Sequence, residues 1–314
     1  MTDAVPAPSA TPRRAPPAKA PARPSPAAVL ELLKPVTWFP PMWAYLCGSI
    51  SAGRPLGDEL GPLALGVVLA GPLVCATSQA VNDWFDRHVD AINEPDRPIP
   101  SGRVPGRWGL GIGVAGTLLS LAVAAALGPV VLGAAVIGLA FAWAYSAPPL
   151  RLKREGWAGC AATGLSYETL PWITGAAVMV GGGWPDARVV AVAAAYGIGA
   201  HGIMTLNDFK AVEGDRALGI RSLPVVHGPG AAARIACAIM AAAQLAVVAA
   251  LALWGAPAHA VAIAALLVVQ LALMPRLLAD PRAGAPRYQA TGVGLYVLGM
   301  LVAAFALGGP AAAA

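Results

Sequence analysis

"GPLALGVVLAGPLVCATSQAVNDWFDRHVD", residues Gly61 to Asp90, decides the fold. No charge occurs from Gly61 to Val81, and three aspartates follow by Asp90. An uncharged run of about 20 residues, rising 1.5 Å per residue, matches the hydrocarbon thickness of a bilayer. The crossing helix therefore carries its charges out at the membrane surface. At about 100° per residue, Asn82, Asp83, Asp86 and Asp90 fall near 0°, 100°, 40° and 80°, one quadrant of the helix. Carboxylates held that close repel one another and call for a cation. Oxygen-only ligands favour Mg²⁺ or Ca²⁺ over zinc. The bland alternative is a solvated face on which these acids pair with Arg87, Arg97, Arg103 and Arg107.

Working outward, the rest of the chain repeats the pattern. Of its 314 residues 57% are hydrophobic and only 12% charged, against about 25% charged in soluble domains. Mean hydropathy is +0.65. Apolar runs fall at roughly 35–53, 61–81, 109–127, 130–146, 158–180, 189–206, 235–254, 257–274 and 291–308. The expectation is an all-α integral membrane protein of nine transmembrane helices around a cytoplasm-facing cavity. With the N-terminus inside, the inner segments hold 5, 4, 3, 4 and 3 basic residues, 19 of the chain's 21, and the outer segments only Arg54 and Arg188. This asymmetry puts the N-terminus and the Asp83–Asp90 stretch on the cytoplasmic side of a multi-pass inner membrane. The net charge of +5 is that membrane signature, not a mark of nucleic-acid binding. Residues 1–28, rich in Pro and Ala, read as a disordered cytoplasmic tail, leaving 29–314 as one transmembrane domain. Cys47, Cys75, Cys160 and Cys237 lack metal or disulfide spacing and read as small apolar fillers.

The charged motif recurs at Leu206–Pro224, "LNDFKAVEGDRALGIRSLP". Shifted by 125 residues, Asn207, Asp208 and Asp215 superimpose on Asn82, Asp83 and Asp90. Ala211 stands where the first copy has Asp86, and Glu213 would point off the ligand face of a straight helix, with Gly214 leaving that open. Two such clusters on separate helices can hold Mg²⁺ against phosphate oxygens. The cations Arg87, Arg97, Arg103, Arg151, Lys153 and Lys210 would complete a diphosphate cavity, with an apolar channel beneath for a hydrocarbon tail.

At Asn82–Asp90 and Asn207–Asp215 the chain resembles the UbiA-type intramembrane prenyltransferases, and the resemblance extends from Leu33 to Leu307. The stretches Lys34–Gly48, Asn93–Arg103, Ala144–Trp157 and Asn207–Val225 resemble the chlorophyll and bacteriochlorophyll synthases of that superfamily. Trp38–Tyr45 and His201–Lys210 look most like the bacteriochlorophyll a branch. The resemblance implies a Mg²⁺-dependent enzyme that transfers a geranylgeranyl or phytyl group from its diphosphate to the propionate of a bacteriochlorophyllide. It assigns metal and diphosphate roles to Asn82, Asp86, Asp90, the matching second-motif positions and Lys153. It also leaves room for partners among pigment-biosynthesis or assembly proteins.

Other polar residues are read both ways. Glu168, the one acid inside an apolar run, suits either a substrate cavity or a structural hydrogen bond. His201 could meet the pigment or be a buried structural residue. His88 falls off the acid face and reads as surface. Tyr145 joins the substrate-cavity candidates. So do Trp38 and Trp43, whereas Trp84, Trp143, Trp157, Trp172 and Trp184 suit interfacial belts. Chlorophyllide, a quinone precursor or haem as acceptor remains open, and so do the non-enzyme readings of a pigment-binding or transport protein.

Overall fold

The computed structural model describes residues 22–309. Most of the stretch expected to be a tail lies outside them; its end is already ordered. Ser25 Oγ accepts from the Ala28 amide, and Pro26 at the first position fixes φ for the helix α1, Pro26–Leu33. There follow α2 (Phe39–Ser51), α3 (Leu56–Asn93), α4 (Trp108–Leu127), α5 (Pro129–Ser146), α6 (156–179), α7 (Ala187–Asp208), α8 (Pro229–Leu253), α9 (Pro257–Ala279) and α10 (Pro281–Gly308). Among the described residues there is no strand, only one bridge between Glu155 and Arg221.

Seven helices are long and apolar enough to cross a membrane: α3, α4, α5, α7, α8, α9 and α10. The other two expected segments also form helix. However, α2 has only 13 residues, and Glu168 lies within α6.

Small residues set the packing, as they must where lipid removes the hydrophobic drive between helices. Gly48 and Gly175 let α2 and α6 touch backbone to backbone. A Cβ on Gly48 would lie 1.9 Å from the Trp172 carbonyl oxygen, and one on Gly175 1.9 Å from that of Tyr45. Gly128, at φ 125°, ends α4 and Pro129 starts α5, so the two apolar runs 109–127 and 130–146 form separate helices joined by a tight hairpin. Polar groups inside the bundle find partners across helices. Gln244 and Gln270 exchange hydrogen bonds of 2.9 and 3.1 Å between α8 and α9. Trp172 is a correction to the interfacial reading: it is fully buried, stacks on Tyr196 at 5.6 Å and donates to Ser51 Oγ.

Two helices depart from α geometry. α3 passes through a π-turn at Leu69–Cys75, which contains Pro72, and α6 through another at Leu165–Thr169. Such turns commonly mark functional sites, and both of these border the same cavity.

Candidate active site

The last turns of α3 bring Asn82, Asp83, Asp86 and Asp90 to one end of the bundle. Asp83 and Asp90 are buried, whereas His88, off their face, is exposed. Each first-motif carboxylate holds a cationic side chain. Lys34 Nζ lies 2.6 Å from Asp83 Oδ1. Arg97 reaches Asp90 at 3.0 Å and Asp83 at 3.4 Å, and also pairs with Glu94. Lys153 donates to both oxygens of Asp86. Asn82 donates to Ser146 Oγ at 2.9 Å, which lies 3.4 Å from Lys153 Nζ.

The second motif ends α7. Here the helix is not straight: it stops at Asp208, and the short helix Val212–Ala217 starts after a turn at Ala211. Glu213 consequently points outward, exposed and paired with Arg282, while Asp215 accepts 2.7 Å from Ser222 Oγ. Burial raises Asp215 above the ordinary carboxylate range, partly offset by that Ser222 bond. Asn207 Oδ1 accepts from Gln289, and Asp208 lies 3.9 Å from Cys160 Sγ. Asp208 and Asp215 are close enough to repel each other, with Lys210 acting on Asp208 in the opposite sense.

The loop after α5 joins the two motifs. Its backbone is stitched to the second-motif loop: the Arg221 amide donates to Arg154 O and the Gly156 amide to Arg221 O, both at 2.9 Å. Its Lys153 side chain meanwhile reaches the first motif. Burial presses Lys153 below the ordinary lysine range, with Asp86 pulling the other way. Arg151 takes the left-handed conformation, φ 44°, and its buried Nε has no partner. Tyr145 lies within electrostatic reach of both Asp86 and Asp208.

Two of the expected diphosphate ligands are engaged elsewhere. Arg103 grips Glu31 of α1, and Arg87 folds back over the Trp84 ring at 4.2 Å. Lys210 is exposed.

Beneath Asn82, Tyr145 and Lys153 runs a cavity of about 340 Å³ between α3, α5 and α6. Leu69, Ala135, Gly138, Leu170 and Pro171 line its deeper part. Tyr145 is on its wall; Trp38, Trp43, Glu168 and His201 are not. Trp38 donates to Leu33 O and Trp43 to Val297 O. Glu168 is buried with Oε2 unpartnered, and His201 packs 5.0 Å from Trp157. The sequence reading missed Lys34, though its left-handed backbone, φ 46°, leaves no local trace in the residue order.

Among the described residues no three Asp, Glu, His or Cys side chains converge as a ready metal cage. The donors nonetheless fit a hard cation. They are carboxylate and amide oxygens, the buried Asp83 Oδ2 has no partner, and every first-motif carboxylate already attracts a positive group.

This architecture, two acid clusters over an apolar cavity, is that of a membrane-embedded prenyltransferase. Residues 37–297 match the UbiA prenyltransferase family, to which the chain belongs. It is 60% identical to the bacteriochlorophyll synthase 33 kDa chain of Cereibacter sphaeroides, over 91% of this chain and 94% of that one. It is 40% identical to the chloroplastic chlorophyll synthase of Arabidopsis thaliana, over 88% of this chain and 73% of that one. A UbiA homologue from Archaeoglobus fulgidus, solved bound to GPP and Mg²⁺, shares the fold with a TM-score of 0.69 at 21% identity, covering 87% of this chain and 99% of that one.

Proposed function

We propose that this chain is a bacteriochlorophyll synthase, joining a geranylgeranyl or phytyl group to the propionate of bacteriochlorophyllide a. The observation that carries this reading is the 60% identity to the Cereibacter sphaeroides relative over nearly the full length of both chains. A propionate oxygen forms a bond to C1 of the prenyl chain as the C1–O bond to diphosphate breaks. The bonding pair leaves with the diphosphate, and the propionate, already ionised, has no proton to lose.

The chain's residues divide the work. Lys153, Arg97, Arg151 and Lys210 surround the diphosphate; Arg87 and Arg103 join only by leaving Trp84 and Glu31. Asn82, Asp83, Asp86, Asp90, Asn207, Asp208 and Asp215 would hold Mg²⁺, which when bound offsets the charge of the leaving diphosphate. Fixed positive groups at the leaving oxygen should be the largest contribution to rate. The apolar cavity takes the tail and keeps water from the reacting carbon, with Tyr145 at its mouth. Trp38, Trp43, Glu168 and His201, off that wall, stay as candidates for the pigment's side. The basic-residue asymmetry supports a cytoplasmic position for the N-terminus and both motifs, with α2 and α6 as the eighth and ninth crossings.

Chlorophyllide as acceptor is the second reading, favoured by the 40% identity to the Arabidopsis thaliana enzyme. The deciding experiment offers the purified protein geranylgeranyl diphosphate, Mg²⁺ and either pigment, and separates esterified products by chromatography. Preference for bacteriochlorophyllide supports the proposal; preference for chlorophyllide supports the second reading, and no ester from either pigment overturns both.

A further inference from the structure

We infer that Gly138 sets the length of the prenyl tail this chain accepts, an inference that rests on the tail occupying the cavity below the motifs. The cavity follows α5 downward from Tyr145 through Phe141 and Ala142 to Gly138, then to Ala134 and Ala135. At 1.5 Å per residue, Gly138 lies roughly 10 Å below Tyr145 and Ala134 about 16 Å below. The short two-isoprene geranyl chain would end near Gly138, and the four-isoprene geranylgeranyl chain must pass it.

Gly138 is also where the passage can be closed without disturbing the bundle. It is buried, and a Cβ there would meet only Leu170 Cδ1 at 3.6 Å and Val74 Cγ1 at 3.9 Å, ordinary contacts. Leu170 and Val74 line the same cavity from α6 and α3. The three side-chain positions thus form a ring across the cavity, open on one side because glycine has no side chain. A longer side chain at 138 would fill the space the third isoprene unit needs. Gly133 on the same helix is the natural control: it is exposed, and a Cβ there meets nothing within 4 Å.

The test is a competition. Wild type, Gly138→Leu, Gly138→Ala and Gly133→Leu each receive equal, limiting geranyl, farnesyl and geranylgeranyl diphosphates with Mg²⁺ and bacteriochlorophyllide a. Since one methylene in an apolar pocket is worth tenfold or more in discrimination, Gly138→Leu should lower the geranylgeranyl-to-geranyl product ratio at least about tenfold. Gly138→Ala should shift it the same way by less, and Gly133→Leu not at all. An unchanged ratio in Gly138→Leu, or an equal shift in Gly133→Leu, overturns the inference and would mean the tail leaves sideways into lipid. If Gly138→Leu is inactive with every donor, Gly138→Ala decides by the same criterion. Thermal stabilisation by each diphosphate with Mg²⁺, read without pigment, repeats the comparison independently of the acceptor. Length-dependent stabilisation without any ester would therefore fault the pigment assignment alone.

Discussion

Replacing Lys34 by methionine should destabilise the chain through Asp83, which lies 49 residues away in sequence. Asp83 is 1% exposed, with Lys34 at 2.6 Å and Arg97 at 3.4 Å. Removing one partner of a fully buried pair costs about 3–5 kcal/mol. Here Arg97 remains and Lys34 is itself 24% exposed, so solvent screening reduces the expected loss to about 2 kcal/mol. Methionine keeps the apolar stem and the left-handed backbone penalty of Lys34, so the loss isolates the charge. By size scaling, it corresponds to a fall in Tm of roughly 4–8 °C. The four cysteines are free and buried, so a thiol-reactive fluorophore reports unfolding of the purified protein directly. Asp83→Asn in the Lys34→Met background should recover at least about half of the loss, because the two sites share one interaction. A Lys34→Met protein melting within about one degree of wild type would refute the pairing, as would strictly additive losses in the double variant.

Three further outcomes are expected. Chelation should abolish turnover and Mg²⁺ restore it, because each proposed ligand is a hard oxygen; full activity in excess chelator would contradict the metal role. Asp86→Ala and Asp90→Ala should remove turnover, and Asp215→Ala should cost far more than Glu213→Ala, since Glu213 points outward to Arg282; equal losses at 213 and 215, measured as kcat/KM, would count against the second motif. In a background without native cysteines, Arg221→Cys should label with an impermeant reagent only in inside-out vesicles and Asp186→Cys only from the other side. Labelling of both from one face would overturn the orientation.

The parts of the molecule that were legible in the residue order are those set by local periodicity. The uncharged runs became helices, and the gap between runs 109–127 and 130–146 became a hairpin. Counting 100° per residue put Asp83 and Asp90 on one face and His88 off it at the surface, and the structure buries the two acids and exposes His88. Glu213 also points away as counted, but for a different reason, because the helix had already ended before Ala211. What was not legible depends on which helices touch. Lys34 meets Asp83 only because α1 packs on α3, and Arg103 is withdrawn from the site because Glu31 comes within reach on that same short helix. Trp172 reads like an interfacial tryptophan by its neighbours in sequence, yet the close approach of α2 and α6 at Gly48 and Gly175 encloses it. The bridge between Glu155 and Arg221 has no strand signature on either side.

The two motifs, so alike in sequence, differ in what already neutralises them. Asp83, Asp86 and Asp90 hold Lys34, Lys153 and Arg97, whereas Asp215 accepts from the Ser222 hydroxyl and Asp208 faces the Cys160 thiol. A divalent cation approaching the first motif must therefore displace or share a resident ammonium or guanidinium. At the second it meets two mutually repelling carboxylates without a close ion pair, at the cost only of hydrogen bonds to neutral groups. Lys153 connects these two conditions, because its side chain neutralises Asp86 while its backbone loop is stitched beside Arg221. A diphosphate is the stronger attractor for that buried ammonium, having more charge and more acceptor oxygens than one carboxylate. Were Lys153 to turn to a bound diphosphate, Asp86 would lose its counter-ion and become free to hold Mg²⁺, which would offset the leaving group's charge. If both motifs hold a cation as proposed, the missing acid at Ala211 would cost little, since the two repelling carboxylates of the second motif would favour an incoming cation and an extra carboxylate would be needed only where a lysine must be released.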